Sequence, residues 1–118
     1  MRGETNVEGV WVVVARADEV HPGRAEPAVA CGQQLVVWRD ATGVAHVQDA
    51  SCPHRDVHLG WGGRVRGCEI ECPLHGWRFD GDGRRTDAPW DDQSRLRVHP
   101  VVEQDGLLLT WMGDSAPY

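Results

Sequence analysis

The chain contains no lysine. Its twelve basic residues are all arginine, set against eighteen Asp and Glu, for a net charge of -6. This deficit of positive charge excludes nucleic acid as a partner, because gripping a phosphate backbone needs a basic surface. Long apolar runs are also missing. The longest, Val10 to Ala15 and Leu107 to Met112, are of strand length, well short of the roughly 20 residues that cross a bilayer as a helix. No membrane partner is expected. No basic-then-apolar leader opens the sequence, so no secretory signal is expected and the chain reads as cytoplasmic. Tyr, Phe and Ile occur once each, and the aromatic mass comes from six Trp. With 41% apolar residues, the composition is that of a chain that builds a core, not a disordered one. The length of 118 residues predicts a single domain, 1–118.

What the sequence has in excess is metal-ligand chemistry: four Cys and six His in so short a chain. In a reducing compartment Cys is more often a metal ligand than a disulfide partner.

The local patterns are strand-like throughout, and no stretch carries a helical apolar period. Strands are predicted at Val10 to Arg16, Gln34 to Arg39, Val44 to Gln48, Arg64 to Arg66, Glu69 to Glu71, Trp77 to Asp80 and Leu107 to Met112. Another runs from Arg95 to Glu103, broken or pushed to an edge by Pro100. His21 to Pro27, with two Pro and a Gly, reads as a loop. Turn signals recur about every 8 to 12 residues, which predicts an all-β sandwich or small barrel. The densest irregular stretch, Asp49 to Gly63, lies between good strands, where function usually sits in a small β domain.

Two boxes carry the chemistry: Cys52-Pro53-His54, then, after 17 residues, Cys72-Pro73-Leu74-His75. Thiolate sulfur with imidazole nitrogen excludes Mg and Ca and points to Zn or an iron–sulfur cluster. A tetrahedral Zn site would use the same four atoms, but Zn motifs usually pair like ligands within a box. One Cys and one His in each box suits a two-iron cluster in which one iron takes both Cys and the other both His, the Rieske [2Fe–2S] arrangement.

The run Cys52-Pro-His-Arg55 … Cys72-Pro-Leu-His-Gly-Trp-Arg-Phe-Asp80 resembles the Rieske domain of ring-hydroxylating oxygenases and their ferredoxins. Leu35-Val-Val-Trp-Arg39 with Thr42-Gly43, and Gly106-Leu-Leu-Leu-Thr-Trp111, resemble the strands that precede the first box and close the family's fold. The resemblance implies stacked antiparallel sheets with a small cluster-binding subdomain spanning roughly Asp49 to Asp80. It implies Cys52, His54, Cys72 and His75 as ligands of one cluster per chain, with the two His at the electron exit. High-potential members of the family resemble one another in a Ser just after the His-Gly of the second box, a Tyr two residues later, and a disulfide between the cluster loops. Here Trp77 and Phe79 stand at those positions and neither extra Cys is present. The potential is therefore expected near the low end of the family's range, about -150 mV rather than +300 mV.

Around the boxes, Cys31 and Cys68 are expected as free thiols with a packing role, His58 as a surface-loop residue, and Arg55 with Asp56 as a loop-holding ion pair. Gly60, Gly62 and Gly63 read as turn residues, and Gly76 as allowing close approach to cluster sulfur. Leu59, Trp61 and Leu74 are either core or an apolar lip beside the ligands. Asp80, Asp82, Asp87, Asp91 and Asp92 form an acidic run, either a solvated turn or a docking patch. His21, His46 and His99 receive no function.

The expected role is a one-electron carrier between a flavin-dependent reductase and a terminal oxygenase. The alternatives are the Rieske domain of an oxygenase subunit whose catalytic domain lies outside this chain, and a redox-sensing module. Oxygenases of this kind hold a mononuclear iron by two His and a carboxylate. The nearest such set, His54, Asp56 and His58, is entangled with the first box, so the chain alone is not expected to hydroxylate anything.

Overall fold

A computed structural model describes residues 9–53, 57–74, 76–87 and 94–113. It contains ten strands: β1 (Val10–Arg16), β2 (Ala25–Ala30), β3 (Gln33–Arg39), β4 (Ala45–Asp49), β5 (Arg64–Arg66), β6 (Glu69–Glu71), β7 (Arg78–Asp80), β8 (Val98–His99), β9 (Val101–Gln104) and β10 (Leu107–Met112). The one helical turn among the described residues is a 3-10 turn at Ala17–Glu19. The strands form three antiparallel sheets, ordered β1-β10-β9, β2-β3-β4-β8 and β5-β6-β7. No helix of the described residues is long and apolar enough to cross a membrane.

Strand β3 explains how the sheets stack. Its Leu35-Val36-Val37-Trp38 run is fully buried, with no alternation to a solvated face. Successive side chains of a strand point to opposite faces, and here both faces are covered. Leu35 and Val37 join a core with Val47, Leu108 and Met112, between the first two sheets. Val36 and Trp38 join a second core with Cys52, Leu59, Ile70, Cys72, Phe79 and Leu96, toward the third sheet. The small sheet therefore sits on the back of β3, and both box cysteines sit in the apolar layer between them.

The predicted loop over His21 to Pro27 is half wrong, because β2 begins at Ala25 and carries Pro27 inside it. Pro27 pairs with Val36 across an edge position, since β2 ends its sheet. An edge strand tolerates a residue without an N–H. The Pro100 break is observed, separating β8 from β9.

The turn after β3 is organised by Asp40. Its buried carboxylate accepts the Thr42 and Val44 N–H groups (2.9 and 3.1 Å), the Thr42 hydroxyl (2.6 Å) and a His46 ring nitrogen (2.9 Å). Burial pushes the Asp40 pKa up, but these hydrogen bonds outweigh it and hold the group far below the usual carboxylate range. The His46 ring lies 4.4 Å from that of Trp38. The Trp38 indole donates to Gln48 Oε1 (3.0 Å), and Gln48 Nε2 donates to the Asp80 carbonyl (2.9 Å). This buried chain ties the second sheet to β7 of the third. His46 thus acquires a structural role, as does His99, which is 2.8 Å from Asp49 Oδ1.

Candidate metal centre

The two boxes open on the same backbone bond. The Cys52 N–H donates to the carbonyl of Val57 (3.0 Å), and the Cys72 N–H donates to that of Trp77 (2.7 Å). Each box is thus a loop of the same length, closed by the same bond, with a thiol at its first position. The first loop is seated by the Leu59 N–H on the Ala50 carbonyl (2.8 Å) and by a bridge between Ser51 and His58. The second connects β6 to β7. Inside it the Gly76 N–H donates to the Cys72 carbonyl (3.1 Å), at a φ of 75°. That left-handed turn is the reason glycine stands there. A Cβ at Gly62, in the segment after the first loop, would lie 3.5 Å from Pro73 of the second, and Cys52 and Cys72 share one buried cluster.

Cys52 and Cys72 are 3% and 2% exposed, neither is in a disulfide, and both lie in one apolar cluster. Two buried sulfurs on matching neighbouring loops, without a disulfide, fit a soft metal or an iron–sulfur cluster. His54 and His75 lie outside the described residues, as do Arg55, Asp56, Asp91 and Asp92.

Several surroundings differ from expectation. Cys31 and Cys68 are exposed rather than part of either core, which corrects the packing role expected of them. Each sits at a hairpin turn, between β2 and β3 and between β5 and β6. His58 is half-buried. Its Nδ1 accepts the Gly60 N–H (2.9 Å), its Nε2 is buried with no partner among the described residues, and burial pushes its pKa down. Leu59 is fully buried core, whereas Trp61 (68%) and Leu74 (50%) are exposed, so only these two can form a lip. Gly63 serves packing as well as turning: a Cβ there would lie 2.1 Å from the Leu59 carbonyl oxygen.

Two members of the acidic run, Asp80 and Asp87, are committed to local structure. Asp80 Oδ1 accepts the N–H groups of Asp82 and Arg84 (3.0 and 2.9 Å), and Asp87 Oδ1 accepts the Arg78 N–H (3.1 Å) and Arg85 Nε (3.0 Å). Burial pushes the Asp87 pKa up, but the bonds from Arg85 and Arg78 win and it sits below the usual range. Glu71 is likewise lowered, chiefly by its hydrogen bond from Arg66, which with one from Arg78 overcomes burial. Arg85 and Asp87 flank the second loop without belonging to its motif. No local sequence signal ties them to the loop, because their partners there, Trp77 and Arg78, lie eight and nine residues before them.

Comparison with known proteins accords with this geometry. Residues 10–102 match the family described as the Rieske [2Fe-2S] domain. The chain is 40% identical over 105 residues to cholesterol 7-desaturase of Bombyx mori, covering 86% of this chain and 23% of that protein. It superposes on dicamba monooxygenase with a TM-score of 0.80 at 30% identity, covering 97% of this chain and 37% of that one. It superposes on the ferredoxin of carbazole 1,9a-dioxygenase from Nocardioides aromaticivorans IC177 with a TM-score of 0.74 at 29% identity, covering 86% and 96%. The chain spans between 22% and 34% of the length of the curated relatives it matches. Fold, matching cysteine loops and family match agree: the chain belongs to the Rieske [2Fe-2S] domain family, whose cofactor is a Rieske-type [2Fe–2S] cluster.

Proposed function

We propose that Cys52, His54, Cys72 and His75 ligate the cluster, and that the chain is a one-electron carrier, taking electrons from a flavin-dependent reductase and passing them to a terminal oxygenase. In this reading residues 1–118 act as one domain in the cytoplasm, with the cluster-binding part at roughly 49–80. When bound, the cluster supplies a single site that takes up and releases one electron. The observation that carries the ligand reading is the pair of matching loops, each presenting a buried thiol. Val36, Trp38, Ile70 and Phe79 shield these sulfurs from water. Neither Trp77 nor Phe79 has a hydroxyl to donate toward sulfur, a donation that would stabilise the reduced state. A redox titration is expected to give a midpoint of about -150 mV, and a clearly positive midpoint would refute the low-potential reading.

The carrier reading is supported by the overlay on the ferredoxin of carbazole 1,9a-dioxygenase, 96% of which is covered. A second reading, the Rieske domain of an oxygenase subunit, is supported by the curated relatives and by the wider overlay on dicamba monooxygenase, 97% of this chain against 86%. Mixing the purified chain with NADH, a flavin reductase and a separate terminal oxygenase tests the carrier. One electron per chain should pass in and then onward. Reduction without onward transfer to any oxygenase, together with a native polypeptide several times heavier than 13.1 kDa, would favour the subunit reading.

A further inference from the structure

The peptide unit joining Trp77 to Arg78 is gripped at both ends. Its carbonyl accepts the Cys72 N–H at 2.7 Å, and its N–H donates to Asp87 Oδ1 at 3.1 Å. The same carboxylate oxygen accepts Arg85 Nε at 3.0 Å. The Arg85 guanidinium in turn lies over the Trp77 indole, 3.3 Å from its centroid. The Arg85 side chain is only 14% exposed, and a guanidinium partly removed from water is attracted strongly to an aromatic face. The Thr86 N–H to Arg78 carbonyl bond (2.9 Å) holds this segment alongside β7. A carboxylate that accepts a peptide N–H polarises that peptide and makes its carbonyl a better acceptor. The pull of Asp87 is thereby relayed to the backbone of Cys72.

We propose that Arg85 and Asp87 are positioning residues that clamp the second ligand loop through the Trp77–Arg78 peptide, and that their opposite charges cancel at the redox centre. The proposal rests on the reading of Cys72 as a ligand. Without Arg85, the Asp87 charge is unbalanced and opposes uptake of an electron, so the potential falls. Without Asp87, the Arg85 charge is unbalanced and the potential rises. Either loss slackens the same loop. A merely structural role would weaken cluster retention but would not move the potential in opposite directions.

The test uses the cluster-loaded protein with Arg85→Gln, Asp87→Asn and the double change, measuring midpoint potential by redox titration and iron release to a chelator. The potential is expected to fall in the first, rise in the second and return near the unaltered value in the double variant. Iron release is expected to be about tenfold faster in each single variant, equivalent to about 1.4 kcal/mol. Should either variant fail to fold, Arg85→Lys and Asp87→Glu keep the charges while spoiling the fork, and are expected to speed release without moving the potential. Shifts of the same sign, no shift in potential, or unchanged release in the folded single variants would overturn the clamp. Full iron content in Cys72→Ser would instead remove the ligand reading beneath it, whatever the clamp variants do.

Discussion

Protein carrying Cys72→Ser is expected to come out colourless, with iron and sulfide at background. Cys72 is 2% exposed and packed with Ile70, Phe79 and Trp38, so no outside thiol can take its place. A serine hydroxyl does not ionise near neutral pH and is a hard oxygen donor where iron–sulfur ligation needs a thiolate. It would also be a polar group in an apolar layer, a burden of about 1–3 kcal/mol if unpartnered. Cys52→Ser should behave identically, because Cys52 opens the matching loop at 3% exposure. Cys31→Ser and Cys68→Ser, at exposed turns, should keep full iron and sulfide. Retention of the visible spectrum in either buried-cysteine variant would show that these sulfurs do not hold the cluster.

Asp40→Ala is expected to destabilise the fold by about 2 kcal/mol near neutral pH, measured by denaturant unfolding, because it removes a buried carboxylate that accepts from two backbone N–H groups, a hydroxyl and a ring nitrogen. The effect should depend on pH in one direction. The folded Asp40 carboxyl is held well below its ordinary value of 3.8. Its stabilisation is therefore complete above that ordinary value and drains away as pH falls from there toward the folded one. The gap between the unaltered protein and Asp40→Ala should narrow as the solution is acidified below about pH 4. A gap that stays constant into strong acid would mean the carboxylate charge contributes nothing to the turn.

The legible parts of this protein are those whose cause is local. The short strands of the third sheet and the closing strand β10 follow from neighbouring residue types and are readable in the sequence. The two boxes stand out in the sequence because metal ligation dictates residue type and spacing directly, and the described part of each, a buried cysteine opening a loop closed by the same bond, is in keeping with that reading. Strand β2 was misread because Pro27 suggests a loop, and only the sheet order reveals an edge position that tolerates it. Leu35 to Trp38 could be read as a strand, but not as one buried on both faces, since a second core needs the third sheet to fold back over it. Cys31 and Cys68 are expected to pack because free cysteine is usually buried, but each adjoins a glycine with a positive φ, Gly32 and Gly67, and that neighbour marks the tight hairpin turn which leaves the thiol exposed. Arg85 and Asp87 were invisible as partners of the second loop, because the contact depends on how the segment after β7 returns along it.

The central claim is that two cysteines and two histidines of this chain share one two-iron cluster. Pulsed EPR of the dithionite-reduced protein reaches it most directly. A Rieske centre gives one spin per chain, with hyperfine modulation from the nitrogens of two imidazoles, reduced to that of one imidazole in either His54→Cys or His75→Cys and absent when both are changed. A reduced centre without histidine nitrogen coupling, or a protein that binds zinc and shows no paramagnetic signal, would contradict it.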